Sequence, residues 1–283
     1  SVSDRPLDQA VSMFAPGARV VRDGALHTVA GFADWRPTWN GMAPTDPIGP
    51  EVKVGACAVC GASFVEPETD ICQICTATLR LIPMHQPSGF RTTYRQEDFD
   101  DETDESPSAG SPSISISGPP DREVSLEGAT LLSYDQAQLV QVNDNNGALF
   151  PVAKDNDGSF LVTDPALFPD VKGWPPRMTP LKEIAIGELR TTDVLTVGLQ
   201  SPHLPGGLVP YSPYALPAGM AAYWSLAEVL RRSAKRLLDI DPQELEFGLH
   251  PTSQGSMTVF IADALDNGAG YAAELGSEHN FRA

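Results

Sequence analysis

The apolar positions of this chain switch between two periods. The run Arg19-Val20-Val21-Arg22-Asp23-Gly24-Ala25-Leu26-His27-Thr28-Val29 is two β-rich stretches around an Asp-Gly pair. Such a pair suits a type I′ turn, which needs positive φ at both central residues, so a hairpin is predicted there. A second hairpin is predicted within 130–152, where 137–142 and 148–152 flank Asn143-Asp144-Asn145-Asn146-Gly147, residues that tolerate the left-handed conformation. Further strands are expected at 159–162, 184–189, 193–199 and 257–262. The helical period is clearest where Tyr223, Leu226, Ala227, Leu230, Ala234, Leu237 and Leu238 fall on one stripe. That spacing predicts a helix over about 219–239.

Between these elements the pattern fades. Residues 34–50 are rich in proline, carry Trp35 and Trp39, and read as an ordered loop that packs its aromatics. Residues 97–105 hold seven acids and no base, followed by a Ser/Pro/Gly tract to 120. A stretch of that kind buries too little apolar area to offset its ordering entropy, which predicts a linker. Four consecutive stretches follow: an N-terminal hairpin with a Pro/Trp-rich loop (1–50), a four-cysteine zinc module (51–96), an acidic, Ser/Pro-rich flexible linker (97–121) and an α+β C-terminal domain (122–283). The expected class is α+β, β-hairpin-rich, with a zinc-knuckle or zinc-ribbon module and one long amphipathic helix packed on a sheet.

Composition narrows the function. At 283 residues and 41% hydrophobic, the chain can bury a sizeable core, and its 24 glycines and 26 prolines favour turns over a helical bundle. A net charge of −18 argues against a general polyanion-binding surface, so any nucleic-acid contact must be local. No uncharged apolar window reaches the roughly 18 residues of a membrane span, and no basic-then-apolar leader precedes the first hairpin. A cytoplasmic chain without a membrane partner is expected. Its start at Ser1-Val2-Ser3-Asp4 reads as a piece of a longer polypeptide.

The strongest chemical signal is Cys57-Ala58-Val59-Cys60 and Cys72-Gln73-Ile74-Cys75, with eleven residues between the pairs. Each C-x-x-C places two sulfurs on one turn, and two such turns can surround Zn²⁺ tetrahedrally. A four-thiolate site is coordinatively closed and therefore structural; two disulfides are the competing reading. Just beyond lie Arg80, His85, Phe90, Arg91, Tyr94 and Arg95, a basic window interleaved with aromatics. Arginine binds phosphate bidentately while rings stack on bases, so Arg80, Arg91 and Arg95 are candidate DNA contacts. The alternative is that the aromatics are core and the arginines pair with the acidic run that follows. Arg231, Arg232, Lys235 and Arg236 form a second basic face on the predicted helix, where Glu228 and Asp239 suggest ordinary surface pairing. Asp263, Asn267, Gly268 and Gly270 mark an elbow where a strand passes into a helix, and Asp263 with Asp266 could hold Mg²⁺ in a nuclease-like site. No phosphate loop, nucleophile elbow or H-E-x-x-H motif occurs, so no catalytic residue is expected.

The stretch Met257-Thr258-Val259-Phe260-Ile261-Ala262-Asp263-Ala264-Leu265-Asp266-Asn267-Gly268-Ala269-Gly270-Tyr271, with 225–230 and 237–245 before it, resembles the C-terminal zinc-associated (MZB) domain of MrfA-type DEAD/DEAH-box helicases. The same domain occurs in phage-defence proteins such as the DISARM proteins DrmA and DrmB. Phe14-Ala15-Pro16-Gly17 and Thr191-Thr192-Asp193-Val194-Leu195 also look like that family. Two features depart from it: no further cysteine cluster follows the elbow, and the ATP-binding core is missing. The resemblance implies a non-catalytic, zinc-binding accessory region of a helicase-like phage-defence or DNA-repair protein. It would engage DNA or dock between subunits, with a helicase motor in cis or on a partner. A protein-interaction scaffold without nucleic-acid binding is the alternative.

Overall fold

The computed structural model describes residues 5–22, 24–93, 97–98, 110, 112–169, 171–199, 217–252 and 257–282. In chain order they form α1 (Leu7–Met13), β1 (Arg19–Arg22), β2 (Ala25–Phe32), β3 (Trp35–Thr38), β4 (Gly41–Pro44), β5 (Glu51–Ala56), β6 (Ser63–Val65), β7 (Arg80–His85), β8 (Phe90–Thr92) and β9 (Glu97–Asp98). There follow β10 (Ser113–Ser115), β11 (Arg122–Leu126), β12 (Ala129–Asn143), β13 (Phe150–Lys154), β14 (Phe160–Val162), β15 (Lys182–Leu199), α2 (Pro217–Leu238), β16 (Leu245–Pro251), β17 (Met257–Asp263), α3 (Tyr271–Leu275) and α4 (Glu278–Arg282). The chain is strand-rich, and two compact units interleave along it. One comprises Ser1–Lys53, Ile82–Gly110 and Gln141–Glu188; the other comprises Val54–Leu81, Ser111–Val140 and Leu189–Ala283.

In the first unit the predicted hairpin forms, with Arg22 opposite Ala25, so only positions 23 and 24 make the turn. Gly24 has φ +76°, and Asp23 lies outside the described residues. β2 pairs on with β8 and β14, β14 with β13, and β13 with the first part of β15, all antiparallel. Ala185 and Ile186 of β15 run parallel to Met84 and His85. Phe32, Ile48, Phe150, Val152, Ile184 and Ile186 fill the core, with Val11 of α1 against them. The expected pairing of 137–142 with 148–152 does not form; β13 turns to β14 and β15 instead. The Asn-rich stretch makes a local turn, with the Leu149 N–H donating to the Asp144 carbonyl at 2.8 Å, but it does not fold 148–152 back on 137–142; Phe150 and Val152 find apolar partners in that core.

In the second unit β12 pairs with β11 through the tight Glu127-Gly128 turn and with β10. β10 falls inside the stretch read as a linker. Ser113-Ile114-Ser115-Ile116 alternates with the strand period, and Ile114 is buried against Leu139, Val194 and Phe260. β15 continues antiparallel to β17, which pairs with β16 from Leu245↔Asp263 to Pro251↔Met257. α2 lies along β16 and β17, with Tyr223 and Ala227 packed on Met257 and Val259, and Ala234 packed on Leu245 and Ile261. Leu237, placed on the same stripe by its spacing, is exposed.

Candidate metal centre

The four cysteines are held by two small hairpins of the second unit. The first knuckle is the turn between β5 and β6, where Val54, Gly55 and Ala56 pair with Val65, Phe64 and Ser63. The second is closed by the Ile71↔Thr78 bridge and by the Leu79 N–H donating to the Asp70 carbonyl at 2.7 Å. Both knuckles use one backbone pattern. Cys57 N–H donates to Ala62 O and Gly61 N–H to Cys57 O, each at 2.9 Å; Cys72 N–H donates to Ala77 O at 2.7 Å and Thr76 N–H to Cys72 O at 2.9 Å. In each, the residue after the second cysteine turns left-handed, Gly61 at φ +76° and Thr76 at +61°. Glycine adopts that conformation freely, whereas a β-branched threonine does so at a cost of about 1–2 kcal/mol.

These turns gather the sulfurs within 4.8 Å of one another. Cys57 Sγ lies 3.4 Å from Cys75 Sγ, and Cys60 Sγ lies 3.5 Å from Cys72 Sγ. Such separations exceed the roughly 2.05 Å of a disulfide, and all four thiols are free. They approach the roughly 3.8 Å edge of a tetrahedron with metal–sulfur bonds of about 2.3 Å. Burial pushes the Cys57 thiol up, but N–H donation from Cys60 and Val59 and the Cys75 thiol outweigh it, bringing it down to about 7. Burial raises Cys60. Beyond the cysteines only Ala62 and Leu79 are buried, with Phe64, Ile74 and Ala77 half-covered around them. So thin an apolar shell suits a module closed by an ion. Among the described residues, this is the group of three or more His, Cys, Asp or Glu ligands that could hold a metal ion.

The described arginines of the window have different settings. Arg80 is exposed at the start of β7, in the unit that holds the cysteines. Arg91 belongs to the other unit and is 8% exposed. Its guanidinium contacts Asp157 at 3.1 Å, Asp155 at 3.5 Å and the Ser159 hydroxyl. Arg91 thus pairs with acids of the 155–157 turn rather than facing a phosphate, because β8 lies against β2 and carries alternate side chains inward. Arg95 lies outside the described residues. His85 is buried, with Nδ1 3.0 Å from the Gly49 carbonyl and Nε2 3.1 Å from Lys182 Nζ. On α2, Glu228 takes both Arg231 (2.9 Å) and Arg232 (2.7 Å), and Arg231 also stacks on Phe247 at 4.6 Å.

The elbow is built around Asp263, which is fully buried. Its carboxylate accepts the N–H groups of Ala269 (2.6 Å), Ala272 (2.8 Å) and Tyr271 (3.1 Å), satisfying the first turn of α3. Asn267, at φ +66°, donates its N–H to the Thr191 carbonyl at 2.7 Å, and Gly270, at φ +85°, precedes the helix. Gly268 is required twice over: its φ is +75°, and a Cβ there would stand 2.6 Å from Asp193 Oδ2. Asp266 accepts the Thr191 N–H at 3.2 Å. Backbone amides thus take up both acids of the nuclease-like reading, and the two converge on no shared cation position. Sequence reasoning missed Thr76 as the counterpart of Gly61, since no residue preference announces a left-handed threonine.

No helix among the described residues is long and apolar enough to cross a membrane. No protein-family model matches the chain, and no curated protein matches it. Among solved structures, the chain is similar to the crystal structure of the DUF1998 helicase MrfA bound to DNA, at 9% identity and a TM-score of 0.41, over 95% of this chain. It spans 25% of the length of that helicase.

Proposed function

We propose that this chain is a non-catalytic accessory region that holds one structural Zn²⁺ on Cys57, Cys60, Cys72 and Cys75 and serves a helicase-like DNA-repair or phage-defence machine. The observation that carries the reading is the pair of knuckles with matched hydrogen bonds and four converging sulfurs. A soft, four-sulfur donor set suits tetrahedral zinc, and with every position filled there is no place for a reactive water. The helicase setting rests on the likeness of 257–271 and its preceding elements to the MZB domain. Within it, Arg80 is the exposed candidate for local DNA contact, and the motor would lie in cis or on a partner subunit. Elemental analysis of purified protein tests the metal: one zinc per chain is expected, none after all four cysteines become serine. Iron in its place, or a folded ribbon without metal, overturns it.

The scaffold without nucleic-acid binding gains a specific support from Arg91, whose guanidinium is buried among Asp155, Asp157 and Ser159. Anisotropy titrations with single- and double-stranded oligonucleotides at low salt separate the two readings. Binding that Arg80→Ala weakens supports DNA engagement, and no binding selects the scaffold.

A further inference from the structure

The segment expected to pack its aromatics does the opposite. β3 and β4 form a two-stranded sheet of their own, joined by Trp39 and Asn40. Trp35 pairs with Pro44 and Pro37 with Met42, so these four side chains share one face, while Arg36, Thr38, Gly41 and Ala43 share the other. Trp39 is 98% exposed at the tip, Met42 64% and Trp35 40%. The base is fixed: Thr45 N–H donates to the Asp34 carbonyl at 2.9 Å, its hydroxyl donates to the Asp34 carboxylate at 2.5 Å, and a Cβ at Gly158 would stand 2.7 Å from Pro44. The fold therefore holds out an apolar face on a clamped stem.

We propose that this face is the interface for a second copy of the chain, two hairpins packing face to face about a two-fold axis. Three observations select that occupant. The face carries no charge in a chain of net −18, and the one charged side chain of the hairpin, Arg36, lies on the opposite face beside Asp34 at 3.3 Å; a polyanion or an anionic lipid surface finds no cation on the apolar side. Pro37 and Pro44 remove two donors from the strand edges, so contact is through side chains rather than by adding a strand. The area suits a dimer: at about 250 Å² per tryptophan, the two rings expose roughly 350 Å², and Met42 with the prolines brings each copy to about 500 Å². Two copies then bury about 1,000 Å², the lower bound of a specific interface, which implies weak, reversible pairing. In a two-fold arrangement the tip ring Trp39 of each copy lies over the partly covered Trp35 at the base of the other.

Sedimentation velocity over about 1–200 μM protein tests this, since interfaces of this size have micromolar affinity. A monomer–dimer equilibrium is expected, and it should tighten between about 50 and 500 mM NaCl because salt screens the repulsion between two acidic copies. Trp39→Ser should weaken it about 30-fold, the loss typical of a central aromatic anchor, while Trp39→Phe keeps most of it. A monomer throughout the range overturns the proposal, as does a dimer that Trp39→Ser leaves unchanged or that salt dissolves. Oligo-dT or anionic vesicles that quench Trp39 in a monomeric protein would also overturn it, assigning the face to nucleic acid or lipid. The inference is independent of the zinc reading; zinc content measured on the same samples keeps the two outcomes apart.

Discussion

The cysteine ribbon and the Asp263 elbow are both small, both belong to one unit, and both gather backbone amides around a negative charge. They differ in how that charge is closed. At the elbow one carboxylate takes three N–H groups and the set is complete within the chain. In the ribbon, amides shape two turns that present four sulfurs to one another, and four thiolates side by side repel unless a cation lies between them. The elbow is therefore a finished piece of folding chemistry, and the ribbon is a socket. Both features carry acids or thiols beside glycines in the sequence, so composition alone does not separate them; the direction of the hydrogen bonds does.

Metal removal should split the two most widely. Structural zinc contributes about 10–16 kcal/mol of apparent binding free energy in small modules, so chelation under reducing conditions should abolish amide protection at Cys57, Gly61, Cys72 and Thr76. The amides of Ala269, Tyr271 and Ala272 should keep theirs. Hydrogen exchange read by mass spectrometry decides it, and equal loss at both places would erase the distinction. The reciprocal experiment is Asp263→Ala, which removes the acceptor from three N–H groups, that of Ala272 buried, and should cost about 2–4 kcal/mol in thermal unfolding without changing metal content. Asp263→Asn should cost less, since one oxygen still accepts while the amide group opposes at least one donor.

How much of this could be read beforehand varies with the physics of each part. The convergence of the cysteines was legible because two C-x-x-C turns are local, and Cys57 to Cys75 display that spacing directly. The first hairpin was legible because a two-residue turn is local. Arg91 was not: its partners Asp155 and Asp157 come from another chain segment of the same unit, and no local pattern announces them. β10 was hidden by its acidic neighbours, although Ser113-Ile114-Ser115-Ile116 shows the strand period. The tryptophan hairpin was misread because large aromatics usually go inward, and the exception needs the clamp at Asp34, Thr45 and Gly158 to be seen. Interleaving is equally invisible: a left-to-right reading yields consecutive stretches, while each unit draws on three.

Acid offers a finer separation, because burial lowers the pKa of one histidine in each unit. Burial pulls His250 down to about 4, and burial together with Lys182 lowers His85. A folded-state pKa below the ordinary 6.5 means the unfolded chain binds more protons in that window. The contribution is thus present above about pH 6.5 and is lost as pH falls toward 4. After discounting for partial exposure, His250 should account for roughly 1–2 kcal/mol. Melting His250→Gln beside the parent, both metal-loaded, should show the variant's stability falling less between pH 7 and 4.5. Parallel curves would remove the assignment.

The smallest effect probes the two halves of the socket against each other. If the knuckles are equivalent, Thr76 bears a left-handed strain that Gly61 does not. Thr76→Gly should relieve about 1–2 kcal/mol of strain and return about 0.5–1 kcal/mol through a freer unfolded chain, leaving a net gain of roughly 0.5–1 kcal/mol. Gly61→Thr should lose a similar amount. Competition with a chromogenic chelator reads both as shifts in metal affinity of a few-fold in opposite directions. If Thr76→Gly instead weakens binding, the hydrogen bond from the Thr76 hydroxyl to the Cys75 carbonyl at 2.7 Å holds that knuckle's shape, and the left-handed threonine is a fastener rather than a flaw.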